Sequence, residues 1–419
     1  MLRGRLSPLT VFLVLVGGSS LFFSLIFTVD IIYHVTVVEL SPLQLVLVGT
    51  TLEVSIFLFE VPTGVVADLV SRRLSIIVGY LLTGAAFLLE GTFPFFGTVL
   101  LAQVLWGLGY TFTSGATEAW IADEIGTERV GDAFLQGTQA AQVAGLAAIP
   151  LAIAIGSLDV RLPIVTGGAL MLVLAGFLAL TMTEHGFTPT PRGERTTWGM
   201  MRETLSDARR LVSRQPVLLV LLLIGLFYGL YSEGLDRLWT AHMLESFAAP
   251  FGGTVDPVVW LGTLGGIQAV AALVAVGLVR RHLDMQSSSV LGRALMVMTA
   301  AIVAGLALFG LTQSIWAAAA AWLVVNLLRD VIGPLQTAWY NQRIDDPQVR
   351  ATLFSVSGQA DALGQMAGGP GVGAIGNASL RLALVTSGAL LSPAIPLYAL
   401  ALKRESNKLQ RPEGTRSSN

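Results

Sequence analysis

Charged residues inside long apolar stretches are the side chains of this sequence best suited to bind a substrate or a proton. Glu53 and Glu118 interrupt two such stretches in the first half of the chain. A charge at the centre of a bilayer costs about 2.5–3.5 kcal/mol even on the mildest scale, so residues in these positions predict substrate binding or proton coupling. The second half of the chain adds further candidates: Glu233, Asp236, Arg237, Arg329, Asp330 and Asp361.

Arg329 has the clearest need for a partner, because an arginine in the middle of an apolar stretch requires a counter-charge. A structural ion pair and a role in substrate binding or proton coupling are both open for it. For coupling, the predicted partners are Asp361 and Glu233. Glu53 is open to two similar interpretations. It could take part in coupling, or it could be a structural carboxyl that is buried and stays protonated. The acids available to Arg329 are Glu233, Asp236, Asp330 and Asp361.

Other polar residues predict simpler roles. Asp30, Glu90 and Asp123 lie near the ends of apolar stretches and are expected to reach water. The chain has no cysteine and no nucleotide-binding or hydrolase motif, so we expect neither an enzyme nor a bound cofactor. The histidines lie in separate segments and predict no metal cluster: His34, His185, His242 and His282.

The elements that position these residues are apolar stretches separated by short polar loops. Roughly 20 helical residues cross the hydrocarbon core, and backbone groups in lipid must pair within their own segment, so each stretch predicts a transmembrane helix. The composition agrees, since 12% charged residues is far below the level of a soluble domain. About twelve spans are predicted: Pro8–His34, Pro42–Leu69, Arg73–Glu90, Phe93–Ile121, Asp132–Gly156, Leu162–Thr183, Pro216–Met243, Pro257–Val279, Ser289–Leu311, Ile315–Gln342, Ala351–Ile375 and Leu380–Leu402.

The charge distribution fits a membrane protein and not a nucleic-acid-binding one. The net charge is −2, and the arginines are scattered over the loops without a long basic run. Basic residues recur in every second loop, and this positive-inside bias places both termini in the cytoplasm. The predicted location is the cell membrane, with the lipid bilayer as a partner and no nucleic acid.

The chain divides into two predicted halves of six spans each. The halves cover residues 1–183 and 216–402, with an arginine-rich cytoplasmic linker at 184–215 and a cytoplasmic tail at 403–419. A weak internal repeat supports the division, because Glu118-Ala-Trp-Ile near the end of span 4 corresponds to Thr337-Ala-Trp-Tyr near the end of span 10. Two parallel six-helix repeats are the arrangement of one large transporter class.

The loop after span 2 carries the residues that point to a family. The segment from Gly64 through Asp68 to Arg72 and Arg73 resembles the major facilitator superfamily signature Gly-x-x-x-Asp-(basic)-x-Gly-(basic)-(basic). The resemblance covers essentially the whole chain and implies the all-α major facilitator fold. It also implies that these four residues form a conformational latch, in which Asp68 accepts hydrogen bonds from the first amides of span 11 and pairs with Arg72 or Arg73.

Other segments resemble a subgroup of that family. Residues 60–64 and 114–124 resemble bacterial members that are often grouped with drug exporters. Gln103 stands where antiporters of the family often carry an arginine, and span 5 lacks their Gly-Pro motif. The segment most similar to that motif runs from Gly364 to Gly373 in span 11. We interpret these glycines as small residues that let helices pack closely.

In that family, spans 1, 4, 7 and 10 line a central cavity, which implies aromatic walls from Tyr228, Tyr231 and Trp322. Trp239 and Tyr340 are expected instead to anchor the chain at the membrane interfaces. An apolar, aromatic pocket suits a lipophilic solute. The resemblance therefore implies a monomeric secondary transporter that exports small lipophilic or drug-like substrates by alternating access, coupled to protons.

Two other functions stay open on the sequence. One is the proton-coupled import of a small polar metabolite, since nothing in the residues fixes the direction of transport. The other is a membrane scaffold or lipid scramblase that transports no solute. Buried acids around a mid-span arginine favour transport over a scaffold.

Overall fold

The computed structural model describes residues 6–188, 216–247, 250–344 and 347–409 of the chain. These residues fold into helices joined by short turns, with no strand among them, so the all-α prediction is confirmed. Most of the predicted linker and of the predicted tail lies outside the described residues.

The described helices follow the predicted order of spans, and spans 1, 4 and 12 each consist of two helices. A short helix, Pro250–Gly253, lies between spans 7 and 8. In span order the helices are Pro8–Phe27 with Asp30–Thr36, Pro42–Leu69, Arg72–Thr92, Phe96–Thr113 with Ala116–Ile125, Thr127–Gly156, Arg161–Thr181, Pro216–Glu245, Pro257–His282, Ser288–Leu311, Ile315–Arg343, Pro347–Ala378, and Leu380–Leu391 with Ala394–Leu409.

Eleven of these spans are long and apolar enough to cross a membrane, counted over the described residues. Span 11, Pro347–Ala378, is the exception, although its 32 residues give it ample length. Its sequence contains Arg350 and Asp361 and is rich in glycine. Composition, and not length, therefore separates span 11 from the other spans.

Serine residues begin many of these helices. Each such serine is extended at the N-cap position, and its hydroxyl accepts a hydrogen bond from the amide three residues later. Backbone amides at a helix start have no partner within the helix, so this contact satisfies a group that is costly to leave bare near lipid. The N-cap serines are Ser7, Ser41, Ser71, Ser287, Ser314 and Ser379.

Spans 1 and 4 are interrupted, and each interruption creates a short helix that carries candidate site residues. In span 1 the break at Thr28 separates off Asp30–Thr36. In span 4 the break at Gly115 separates off Ala116–Ile125. Gly115 has a φ of 69°, which is the left-handed region where a residue with a Cβ is strained.

The helices cluster into two compact units. Unit 1 comprises Met1–Met200 with Arg237–Ala269, and unit 2 comprises Met201–Asp236 with Val270–Asn419. The division passes through spans 7 and 8, so each of these spans contributes to both units. The domain boundaries at 183 and 216 stay a prediction from the sequence.

In unit 1, glycines allow neighbouring helices to approach closely. A Cβ added to Gly79 of span 3 would lie 2.7 Å from the carbonyl oxygen of Gly109 in span 4. Span 5 contacts span 1 in a similar way, because a Cβ at Gly137 would lie 2.7 Å from the ring of Phe12. Small residues at such contacts let helices pack without a driving force from water.

In unit 2, spans 7 and 11 pack backbone to backbone. A side chain at Gly229 of span 7 would overlap the carbonyl of Asp361 in span 11. Gly364 of span 11 is packed just as tightly against the carbonyl of Leu226. Close packing therefore accounts for Gly364 and Gly368, whereas a Cβ at Gly371 would meet no atom within 4 Å.

The internal repeat places one buried tryptophan in each half. Trp120 of span 4 is 1% exposed, and its Nε1 donates to the carbonyl of Thr183 just after span 6 (2.6 Å). Trp339 of span 10 is fully buried and packs on Tyr398 of span 12, with the ring centroids 5.4 Å apart. The same residue type therefore joins span 4 to the end of span 6 and span 10 to span 12.

Candidate functional site

Unit 1 contains an aromatic cavity of about 630 Å³. Phe23 and Phe27 of span 1 face it together with Trp106 and Tyr110 of span 4, and Trp239 of span 7 completes the aromatic part of the wall. The Phe27 and Trp106 rings are in contact, with centroids 5.2 Å apart. Trp239 was expected to be an interface anchor, but it faces this cavity. The other lining residues are Ser20, Ser24, Thr28, Ile149, Leu261, Gly262, Gly265, Gln268 and Ala269.

None of the residues that line this cavity carries a formal charge. Its polar groups are a few hydroxyls, the indole N–H groups of Trp106 and Trp239, and the amide of Gln268. Aromatic faces attract cations, and apolar walls bind apolar groups, so this lining suits a lipophilic solute with or without a positive charge. The sequence pointed to aromatic residues of spans 7 and 10 and missed those of spans 1 and 4.

A second, smaller cavity of about 280 Å³ lies in unit 2. Tyr228 of span 7, Gln336 and Tyr340 of span 10, and Asp361 of span 11 are among its lining residues. The prediction of Tyr340 as an interface anchor is wrong, because its side chain is 3% exposed. Its hydroxyl accepts from Gln336 Nε2 (2.8 Å) and donates to the carbonyl of Leu221 (3.3 Å).

The predicted aromatic wall residues separate in the structure. Tyr228 lines the smaller cavity, and its hydroxyl shares a hydrogen bond with Thr299 Oγ1 (2.7 Å). Tyr231 is buried against Tyr228 with an edge-on contact, the centroids being 5.8 Å apart. Trp322 is 7% exposed and belongs to neither cavity lining described here.

Arg329 of span 10 forms a bidentate ion pair with Asp236 of span 7. The Nη1 to Oδ1 distance is 2.5 Å, and the Nη2 to Oδ2 distance is 2.8 Å. The guanidinium also lies 5.7 Å from the centroid of the Tyr231 ring, and Asn326 Oδ1 is 3.4 Å from Nη1. Sequence reasoning thus found the arginine and counted Asp236 among its possible partners, but favoured other acids for coupling.

Asp361 of span 11 lies near the pair of Arg329 and Asp236 but is not the acid that Arg329 binds. It is half-buried, lines the smaller cavity, and accepts a hydrogen bond from Gln365 Nε2 one turn later (2.7 Å). A carboxyl in a partly polar cavity can bind a proton without breaking the Arg329 to Asp236 pair. Asp361 is therefore a candidate proton site in unit 2.

The remaining coupling candidates differ in burial. Glu233 of span 7 is 4% exposed, which makes it the most buried acid of the predicted set. Glu53 and Arg237 are half-buried. Glu118 and Asp330 have exposed side chains.

The predicted latch residues lie at the end of unit 1 where span 3 begins. Arg72 pairs with Asp123 at the end of span 4 and donates to the carbonyl of Ala119 (3.0 Å). Arg73 Nη2 donates to the carbonyl of Ala179 in span 6 (2.6 Å). Asp123 is therefore held in an ion pair, and with 29% of its side chain exposed it also reaches water, as expected.

Two glutamates extend this set of contacts. Glu184 accepts from the hydroxyl of Ser71 (2.6 Å) and from the amide of Arg73 (2.9 Å). Glu124 accepts from the hydroxyl of Thr183 (2.6 Å) and also binds amides of the following residues. The loop between spans 2 and 3, the end of span 4 and the segment after span 6 are thus joined by charge-assisted hydrogen bonds.

The other two latch residues lie in span 2. Asp68 is half-buried in the last turn of this helix. Gly64 lies one turn earlier, and a Cβ there would meet no atom within 4 Å. The space around Gly64 is therefore open within the described residues.

At the opposite end of unit 1, Asp30 and His34 of span 1 meet Glu90 of span 3. His34 Nε2 lies 2.6 Å from Glu90 Oε1 and 3.7 Å from Asp30 Oδ1. Gln103 of span 4 donates its amide to Glu90 Oε2 (3.2 Å). Asp30 is 4% exposed and Glu90 is fully buried, so the expectation that both reach water is wrong.

The chain as described is a multi-span membrane transporter: apolar helices cross the bilayer, and they enclose cavities and ion pairs. It belongs to the Major Facilitator Superfamily, since the model of that family matches residues 9–369. The family resemblance of the loop after span 2 is confirmed. Family members and structural neighbours are transporters and not enzymes.

Individual relatives are distant in sequence but cover nearly the whole chain. A protein described as an uncharacterized MFS-type transporter, YxaM of Bacillus subtilis (strain 168), is 22% identical over 378 residues, which are 88% of this chain and 90% of that protein. The crystal structure of the nucleoside transporter NupG matches with a TM-score of 0.75 at 13% identity, over 95% of this chain and all of that one.

A third similar structure is that of a bacterial homolog of the human lysosomal transporter Spinster in an inward-facing, unoccupied conformation. It matches with a TM-score of 0.71 at 17% identity, over 96% of this chain and 98% of that chain. At such low identity these likenesses establish the fold alone. The major facilitator fold is therefore confirmed.

Proposed function

We propose that the protein exports small lipophilic, drug-like solutes by alternating access, coupled to the entry of protons. The observation that carries this proposal is the uncharged aromatic cavity of about 630 Å³ in unit 1. Such a volume lies within the usual range of small-molecule sites, about 300–1,000 Å³.

Support for proton coupling comes from unit 2. The Arg329 to Asp236 pair joins spans 7 and 10, and Asp361 of span 11 lies beside the smaller cavity. A carrier driven by protons requires a carboxyl whose protonation differs between its two conformations. Asp361 has that chemistry, and the guanidinium of Arg329 provides a permanent positive charge that acts on it.

The experiment that tests the function is transport into proteoliposomes with an imposed pH gradient. A fluorescent lipophilic cation serves as the substrate, and a pH dye on the opposite side reports proton movement. Opposite and coupled movement of dye and protons supports export by antiport. Movement of both in the same direction, or transport of sugars and not of the cation, would instead establish the import alternative.

Trp106 provides a specific test of the cavity. A cation over an aromatic face gains about 0.5–2 kcal/mol, so Trp106→Leu is expected to raise the apparent KM for a lipophilic cation by about 2–30-fold. Trp316→Leu is the matched control, because Trp316 is 61% exposed at the start of span 10 and lies outside the cavity. An unchanged KM in Trp106→Leu would place the substrate elsewhere.

The orientation of the chain gives a further prediction. The positive-inside bias places both termini in the cytoplasm of a cell whose membrane the protein spans. Epitope tags at either terminus should be labelled only after the membrane is permeabilised, and a tag within residues 247–255 should be labelled in intact cells. Labelling of the two termini on opposite faces would contradict the count of twelve spans.

A further inference from the structure

The group of Asp30, His34 and Glu90 has the geometry of metal ligands. One carboxylate oxygen of each acid and Nε2 of the histidine all lie within 4.8 Å of one another. The measured separations from His34 Nε2 are 2.6 Å to Glu90 Oε1 and 3.7 Å to Asp30 Oδ1. Ligand bonds of about 2.0–2.2 Å place the donor atoms of one ion about 3–3.5 Å apart, so only small shifts are needed.

The same group contains acceptor atoms that lack a hydrogen-bond donor. Asp30 Oδ1 and Gln103 Oε1 are both buried, and neither has a hydrogen-bond partner within the described residues. Asp30 is 4% exposed and Gln103 is 1% exposed. A buried acceptor without a partner is costly, so both oxygens are available to a ligand that accepts their lone pairs.

Charge also favours a cation here. Two buried carboxylates face a single imidazole, which balances at most one of them even when protonated. Arg237 of span 7 also acts on His34 electrostatically, more weakly than either acid does. A divalent cation would offset both carboxylates at once and would leave the imidazole neutral.

We propose that Asp30, His34 and Glu90 bind a divalent first-row transition-metal ion, with Gln103 Oε1 as a fourth ligand. One imidazole nitrogen and several oxygens suit ions such as Zn²⁺ and Mn²⁺, whereas Mg²⁺ and Ca²⁺ prefer oxygen alone. The ion replaces the direct His34 to Glu90 hydrogen bond. The hydroxyl of Tyr33, which donates to the backbone carbonyl of Glu90 (2.6 Å), already fixes span 3 against span 1 at this point.

Bound metal would join three helices at one end of unit 1. Asp30 and His34 lie on the short helix Asp30–Thr36, Glu90 lies in span 3 and Gln103 lies in span 4. The site is separate from the aromatic cavity, because none of its four ligands lines that cavity.

The test uses the full-length protein, purified in detergent with an affinity tag that contains no histidine. The protein is stripped with a chelator and titrated with Zn²⁺, Mn²⁺ and Mg²⁺ by calorimetry, and bound metal is counted by mass spectrometry after dialysis. We expect one equivalent of Zn²⁺ or Mn²⁺ per chain and a higher melting temperature with the metal, and no such effect of Mg²⁺.

Variants assign the ligands. Glu90→Gln and His34→Gln should each lose the bound equivalent, and Gln103→Met should weaken binding by about 10–100-fold. His185→Gln is the matched control, because His185 also lies beside a glutamate, Glu124, but is 69% exposed. It should keep the equivalent.

If His34→Gln does not fold, Asp30→Asn serves in its place, since the amide keeps the shape of the side chain and removes its charge. The absence of stoichiometric metal in the stripped and titrated protein would overturn the proposal. Equal metal binding by the wild type, Glu90→Gln and Asp30→Asn would overturn it as well.

Discussion

Arg329→Gln is expected to abolish most gradient-driven transport, with a loss of about tenfold or more in flux, which corresponds to about 1.4 kcal/mol. The variant removes the bidentate contact to Asp236 and leaves that carboxylate without its guanidinium partner. A fully buried pair broken in this way costs about 3–5 kcal/mol. Because the side chains are 24% and 42% exposed, we expect about 1–2 kcal/mol of stability to be lost here, so the protein should still fold.

The double variant Arg329→Gln with Asp236→Asn separates a structural pair from a functional one. It removes both charges and leaves neither partner unpaired, so the melting temperature should recover in either case. Flux should stay low if the pair takes part in coupling, and recovered flux would show that the pair is structural. Arg293→Gln is the control, since Arg293 is exposed and, among the described residues, bonds the carbonyl one turn earlier in its own helix.

The second large effect is expected at Gly229, where spans 7 and 11 touch backbone to backbone. Gly229→Val inserts a branched side chain where the carbonyl of Asp361 lies, so the two helices must separate. Overpacking costs about 1–3 kcal/mol, and a branched side chain at such a contact should reach the upper part of that range. We expect a clear drop in melting temperature in detergent, together with loss of transport, because Asp361 moves with span 11.

Gly371→Ala is the matched control for this variant. Gly371 lies in the same helix as Asp361, and a Cβ there would meet no atom within 4 Å. Alanine at an open helical position is neutral to stabilising, by about 0.5–1 kcal/mol. If Gly229→Val melts at the same temperature as Gly371→Ala, the close packing of spans 7 and 11 is contradicted.

The fold could be predicted from the sequence because its strongest determinants are local. Apolar length and loop polarity are properties of consecutive residues, and they determine where each helix begins and ends. The Ser N-caps, such as Ser41 and Ser71, agree with those boundaries. Span 11 fits less well because its many glycines, some of which pack on span 7, together with Arg350 and Asp361 lower the mean apolarity of its sequence.

The candidate site could be predicted only where a single residue, by its type and position alone, required a partner. Arg329 did so, since a mid-span arginine requires an acid, but the choice of Asp236 among four acids depends on how spans 7 and 10 pack. Asp30 and His34 are one helical turn apart, which was a visible signal that they share a face. Nothing local indicates that Glu90, 56 residues after His34, completes the group.

The break in span 4 has a mechanical consequence. The short helix after Gly115 is held by the loops around it, through Trp120 to Thr183 and through Asp123 to Arg72. A Cβ at Gly115 would find open space, so glycine is required there by its torsion angles and not by crowding. Glycine leaves φ and ψ less restricted than any other residue would at this joint, between the part of span 4 that lines the aromatic cavity and the part bonded to the loops. A change in the angle between these two parts would therefore cost least at Gly115.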